Sequence, residues 1–276
     1  MIKDIVVNLG PGANDPTGAF AISVAEAFEA HLAGVAFAYD PVIPGSVMGG
    51  ISPEFIEQQR SETEKTASAA IARFEQAAKR AGISYETRKL NASIAGAADQ
   101  LAKLARRYDL AIVGQAGRGD DSTPADLIDE GVLFQSGRPV IVVPFIQKAG
   151  LKLDHVMVCW DGSRTAARAV ADAMPLMKKA KQIEVIIVAT KGAKADEAPG
   201  ADLAQHLARH DLTVTLKRIT APNIDVASAI LSYASDANTD MIVMGGYGHS
   251  RLREFVLGGV TRGILSAMTV PTLMSH

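Results

Sequence analysis

Cysteine is nearly absent: Cys159 is the only one in 276 residues. No disulfide can close within the chain, which agrees with a reducing compartment and a cytoplasmic location. Neither sign of charge is in excess. With 28 Lys and Arg against 30 Asp and Glu, the formal net charge is −2. A nucleic-acid partner or an anionic membrane surface is therefore not expected. Long apolar runs are missing too. None approaches the roughly 20 residues that span a bilayer, and the opening MIKDIVVNLG lacks the apolar stretch and cleavage site of a signal peptide. Catalytic signatures are also lacking. There is no H-E-x-x-H, no cysteine cluster, no G-x-S-x-G and no Walker A G-x-x-x-x-G-K-[ST]. No catalytic residue and no metal ligand is assigned.

What remains is an ordinary globular composition, 48% hydrophobic and 21% charged, and a repeat. DLAIVGQAG (Asp109 to Gly117) matches DMIVMGGYG (Asp240 to Gly248). RPVIVVP, from Arg138, matches VPTLMS, from Val270, and KDIVVNLG, from Lys3, resembles DHVMVCWDG, from Asp154. The repeat is about half the chain, so it implies two tandem domains rather than a solenoid. Their expected bounds are 1–148 and 152–276, with a linker inside Phe145 to Asp154.

Each half alternates strands and helices. In the second, the expected strands lie at His155 to Trp160, Ile183 to Thr190, Leu212 to Ile219, Met241 to Met244 and Val270 to Met274. Helices are expected over Ser163 to Lys181 (with Pro175 a kink), Leu203 to Arg209, Asn223 to Ala237 with Asn223 as N-cap, and from Val260 to Met268. Apolar strands separated by helices imply a parallel sheet covered on both faces. In the first half the middle helix is long, from N-cap Ser52 and Pro53 to Ala81, with Gly82 as the stop.

The stretch MGGYGHSRLREFVLGGVTRGIL, Met244 to Leu265, carries the candidate site. Gly245 and Gly248 follow a strand directly, and Gly258 and Gly259 precede a helix. In an open α/β sheet, ligands bind at the carboxyl ends of strands, where strand order reverses. The first N–H groups of a helix lack intrahelical partners and carry positive potential. Glycine lets an anion approach them closely. Thr261 adds a hydroxyl in the first turn, and His249, Arg251 and Arg253 face only Glu254. The competing reading is that these glycines only shape the turn. Likewise Asp161, in Trp160-Asp161-Gly162-Ser163, could touch a ligand or could serve the cap of the helix that follows.

The constellation G-x2-G-x9-G, from Gly245 through Gly248 to Gly258, resembles the nucleotide-binding signature of the universal stress protein family. V-x-V-x-x-D-G-S from Val156 to Ser163 and the closing V-P-T-L resemble that family elsewhere. The resemblance covers the second half throughout and the first in outline. It implies two tandem five-stranded parallel-sheet α/β sandwich domains, Rossmann-like and of the adenine-nucleotide α-hydrolase type. It also implies a stress-response or regulatory protein binding ATP or a related adenine nucleotide, with or without magnesium, in the second half. By the same resemblance Asp161 lies near the adenosine, and the end of the second strand at Val188 and Ala189 meets adenine. Gly245 and Gly248 lie beside ribose and phosphates, Gly258 is the third glycine, and Thr261 reaches the phosphates. Gly259 departs from the pattern, which usually has Ser or Thr there. A charge-assisted hydrogen bond of roughly 1.5–3 kcal/mol is at stake. The family's closing strands, here Val140 to Val143 and Val270 to Met274, imply an intrachain pseudo-dimer of the two halves, with a further homodimer left open.

The first half reads GQAGRGDDSTPADLIDEG, Gly114 to Gly131. The spacing from Gly117 to Gly131 is too long for the motif, and Asp120, Asp121, Asp126, Asp129 and Glu130 face Arg118 alone. Read as a loop, 118–130 repels a triphosphate, at about 4 kcal/mol per charge pair at 4 Å and an effective dielectric of about 20. It is expected to be solvated, a divalent cation being the alternative. The first strand ends Asn8-Leu9-Gly10, with no match for Asp161. This half is expected to bind no nucleotide. Alternatives for the whole chain are a slow ATPase, with His249 aiding hydrolysis, and an interaction module that binds no nucleotide.

Overall fold

The structure is a computed structural model that describes residues 1–41, 52–116, 124–189, 200–220, 224–246 and 259–276, with backbone only at 124–126 and 129. Its elements alternate along the chain as the sequence pattern requires. The first five strands are β1 (Asp4–Asn8), β2 (His31–Tyr39), β3 (Tyr85–Ala92), β4 (Leu110–Gly114) and β5 (Val140–Val143). Between them run α1 (Thr17–Phe28), α2 (Pro53–Ala81), α3 (Ile94–Ala105) and α4 (Pro124–Gln135). The second five are β6 (His155–Cys159), β7 (Gln182–Ala189), β8 (Val214–Thr220), β9 (Met241–Gly245) and β10 (Thr272–Ser275). Their helices are α5 (Arg164–Met177), α6 (Ala201–Ala208), α7 (Val226–Asp236) and α8 (Val260–Ala267).

The chain divides into two compact units, Ile2–Arg138 and Pro139–His276. In the first, the strand order is β3-β2-β1-β4 and these strands pair in parallel. Strands β2 and β4 are buried along almost their whole length, which requires cover on both faces. Helices α1 and α2 pack on each other and on β2, while α3 and α4 pack on each other and on β2 to β4. In the second unit the order is β5-β10-β9-β6-β7-β8. All its pairings are parallel except the antiparallel pair of β5 and β10, with Ile141 opposite Leu273. The two closing strands singled out in the sequence therefore lie side by side. Both are buried at every residue, so neither leaves an exposed apolar edge.

The outer strands differ from the apolar inner ones. β8 (VTLKRIT) and β3 (YETRKLNA) are largely polar and half-buried or exposed, as suits sheet edges. Helix limits follow their caps. The Ser52 hydroxyl accepts the Phe55 N–H at 3.3 Å, and Gly82 at φ 69° stops α2. The expected N-cap Asn223 lies outside the described residues; the N-cap of α7 is Asp225, which accepts from the Ser228 N–H at 3.0 Å and its hydroxyl at 2.6 Å. Ile224, inside the expected helix range, precedes the helix and is 54% exposed. Pro175 sits in the last turn of α5, which continues through it to Met177. The stretch read as an acidic loop is helical from Pro124 onward, and Pro at the start of a helix is what its missing N–H permits. Glu130 is therefore an exposed helix residue.

Candidate functional site

Strand order fixes where a ligand can sit in the second unit. The chain goes from β6 outward to β7 and β8, then returns to place β9 on the other side of β6. The reversal falls between β6 and β9, and the crevice opens at their carboxyl ends. Those ends carry Cys159, Trp160 and Asp161 on one strand and Gly245 on the other. Sequence reasoning thus put Asp161 and Gly245 at the same place, and the fold brings them there.

Asp161 is exposed, and its Oδ1 accepts the Ser163 N–H at 2.9 Å across Gly162, which has φ 74°. The Ser163 hydroxyl is the cap proper, accepting the Ala166 N–H at 3.1 Å. One carboxylate oxygen of Asp161 therefore shapes the turn into α5, and the residue stays at the mouth of the crevice. Trp160 beside it is half-buried rather than a core residue. Burial, and then the Asp161 charge, push the Cys159 thiol up to about 12, so it is protonated at neutral pH and is no nucleophile.

Gly245 has a packing reason of its own. A Cβ there would stand 2.6 Å from the Ala166 nitrogen and from the Thr165 hydroxyl, and 2.7 Å from the Thr165 carbonyl carbon. The end of β9 and the first turn of α5 touch backbone to backbone, and only glycine permits it. Ala189 is half-buried at the end of β7. Gly259 is the N-cap of α8, extended at φ −58° and ψ 157°, with no side chain to cap the helix. Thr261, in the first turn, is 2% exposed. Gly248, His249, Arg251 and Gly258 lie outside the described residues.

The equivalent place in the first unit is the crevice between β1 and β4, where the order also reverses. Here Asp15 fills it. Its Oδ2 accepts the Gly10 N–H at 3.0 Å, and its Oδ1 accepts the Thr17 N–H at 3.3 Å and the Thr17 hydroxyl at 2.7 Å. A Cβ on Gly10 would be 2.7 Å from the Asp15 Cγ, and one on Gly114 would be 2.6 Å from the Thr17 hydroxyl. Arg73, reaching over from α2, donates to the carbonyls of Pro11 and Gly12 at 3.2 and 3.0 Å and ties the same loop down. A carboxylate of the chain itself sits at the helix N-terminus, where an anion would otherwise lie. The sequence reading missed Asp15 because it sought the counterpart of Asp161 on the strand, whereas Asp15 stands at the counterpart of Ser163.

Gly131 also changes meaning. It had been compared with the third glycine of the motif. In the structure it lies within α4, where a Cβ would be 2.9 Å from the Ala98 Cβ on α3. Gly263, 132 positions on, does the same within α8, with a Cβ 2.7 Å from the Ala227 Cβ on α7. Gly131 is the helix-crossing glycine, so the positions matching Gly258 and Gly259 at that offset are Asp126 and Leu127. The first unit keeps Gly114 and Gly117 but lacks the second pair of phosphate-loop glycines. Among the described residues, no three or more His, Cys, Asp or Glu side chains gather as a metal site.

Comparison with known proteins agrees with this architecture. Residues 152–276 match the universal stress protein family. A universal stress protein from Synechocystis is 40% identical over 45 residues, 16% of this chain and 16% of that protein; the chain thus spans about a sixth of that relative in the match. The crystal structure of a universal stress protein from Archaeoglobus fulgidus superposes with a TM-score of 0.71 at 17% identity, covering 99% of this chain and 97% of that one. A functionally unknown protein from Pseudomonas aeruginosa PAO1 gives a TM-score of 0.65 at 15% identity, covering 99% and 92%. At such identities the likeness to the solved structures is one of fold, and it extends over both halves.

Proposed function

We propose, from the match of residues 152–276 to the universal stress protein family, that this domain binds ATP or a related adenine nucleotide and that the protein acts in stress response or regulation. The observation that carries the reading is the joint placement of Asp161 and Gly245 at the β6–β9 reversal. In the proposed complex Asp161 and Ala189 hold the adenosine end. Gly245, Gly248, Gly258 and Gly259 present backbone N–H groups to the phosphates, with the dipole of α8 behind them. Thr261 stands at the inner end of that cradle, and His249 and Arg251 lie within its loop in the sequence. Magnesium would bridge phosphate oxygens rather than require a protein cage.

The domain at 1–148 is, in this reading, a degenerate copy. Asp15 holds the crevice, and the glycine loop is replaced by Asp126 and Leu127. The antiparallel pairing of β5 with β10 supports an intrachain pseudo-dimer of the two repeats. Binding is the assigned role, with slow ATP hydrolysis as the alternative.

The direct test is to purify the chain without added nucleotide, denature it, and quantify ATP, ADP and AMP per mole of protein. About one adenine nucleotide per chain supports the proposal, and two would refute the degenerate first half. ADP or AMP alone would favour a slow ATPase. None, with no binding when millimolar ATP is added back, would leave the interaction module.

A further inference from the structure

Helix α6 (Ala201–Ala208) buries Leu203 and Leu207 and packs on β8. Its other faces are solvated, and His206 and His210 stand exposed four residues apart at its carboxyl end. Four-residue spacing puts two side chains on one helix face, one turn apart. The last turn is pinned: the N–H groups of Arg209, His210 and Asp211 reach the carbonyls of His206, Leu207 and Ala208 at 3.1, 2.9 and 3.1 Å. Asp211, at φ 64°, then ends the helix in a left-handed turn, with the Leu212 N–H on the Leu207 carbonyl at 3.1 Å. Both imidazoles therefore project from backbone that is already ordered.

The ring centroids of His206 and His210 are 4.8 Å apart, at an interplanar angle of 68°. That separation has chemical meaning. An imidazole binds zinc-like ions at about 2.0–2.1 Å, which puts the ion roughly 3.2 Å from the ring centroid. Two such rings on one ion, at bond angles of about 90–110°, have centroids roughly 4.5–5.2 Å apart. The observed centroid separation falls in that range, and rotation of the two exposed rings about their side-chain bonds would turn one nitrogen of each toward a shared ion. Flanking Arg209 and Asp211 offset each other in charge, so neither sign dominates the approach.

We infer that His206 and His210 form a two-histidine site for a divalent transition-metal ion of the zinc, copper or nickel class, its remaining positions filled by water. Imidazole is the side chain that suits these ions, and carboxylate-preferring magnesium and calcium are excluded by the donor set. The neutral imidazoles are the ligands, so binding weakens as the medium is acidified. In a strand-helix-strand crossover the helix runs back against the strand direction. The carboxyl end of α6 thus lies away from the crevice that holds Asp161 and Gly245. The metal site is independent of the nucleotide proposal, and either can fail alone.

The test is equilibrium dialysis of the full chain, untagged and freed of metal with a chelator, against zinc at neutral pH and again at pH 5. One zinc per chain at micromolar concentration is expected. His206→Gln and His210→Gln should each weaken it at least about tenfold, since loss of even an outer-shell partner costs 10–100-fold. Arg209→Ala should not, and acid should release the ion. These positions are exposed, so circular dichroism of each variant should match the parent. No binding below millimolar zinc would overturn the inference. So would equal binding by the double variant, which would place the zinc on other histidines.

Discussion

Gly245 shows how one residue can answer to packing and to ligand at once. Its missing Cβ lets β9 meet the backbone of α5, and the same openness would let a phosphate approach. Gly245→Ala is therefore expected to cost about 1–3 kcal/mol, the usual range for overpacking against atoms that cannot yield. Urea denaturation would register it as a lower midpoint. Loss of nucleotide in that variant would say little about recognition. Gly248 is the second probe: if its backbone serves the phosphates, a bulky residue there abolishes ATP binding and leaves the urea midpoint unchanged, whereas a purely structural glycine loses stability instead. Cys159 makes a separate residue-scale prediction. With the thiol pushed up to about 12, only its protonated form is populated between pH 7 and 9. The thiolate is the reactive species. A disulfide reagent at pH 8 should label native protein far more slowly than urea-unfolded protein, and equal rates would refute the assignment.

At the scale of elements, what could be read from the sequence was what local chemistry decides. The long helix α2 was legible because Ser52, Pro53 and Gly82 are start and stop signals in themselves. The order of strands and helices was legible from apolar runs and the internal repeat. Asp225 was passed over for Asn223 because both are good caps two residues apart, and only the register of α7 against β7 and α8 chooses between them. The acidic stretch was read as a loop because its charges hid the helix starting at Pro124. Gly131 was misassigned because a glycine in a loop motif and one at a helix crossing look alike until the crossing is seen. Asp15 was invisible because its partners, Gly10 and Thr17, are brought to it by the closure of the β1–α1 loop. That closure is testable. Asp15→Ala removes the acceptor of three hydrogen bonds, at least one of them charge-assisted and worth roughly 1.5–3 kcal/mol. A stability loss of about that size is expected by urea titration, whereas Asp15→Asn, which keeps one acceptor oxygen, should lose less. A neutral Asp15→Ala would mean the carboxylate is incidental.

At the scale of the whole molecule, the two repeats differ in what stands around the strand reversal. Each sheet reverses its strand order beside the N-terminus of a helix, and each leaves N–H groups there that need an acceptor. The first unit supplies the acceptor itself, as Asp15. The second serves the equivalent helix α5 with Asp161 and Ser163, but at α8 it keeps Gly259 as N-cap where the first unit has Leu127. Ligand binding should therefore be one-sided. A ligand that binds only the native state stabilises it by RT ln(1 + [L]/Kd), about 2.7 kcal/mol at a hundredfold excess over Kd. Amides whose exchange requires that site to open should slow accordingly. Hydrogen exchange with and without ATP is expected to slow at Cys159 to Asp161, at Gly245 and in the first turn of α8. No change is expected at Asn8 to Gly10 or at Gly114, where the crevice is already filled. Slowing at both sets would mean that Asp15 yields to the nucleotide, and the asymmetry would then be one of affinity rather than of occupancy.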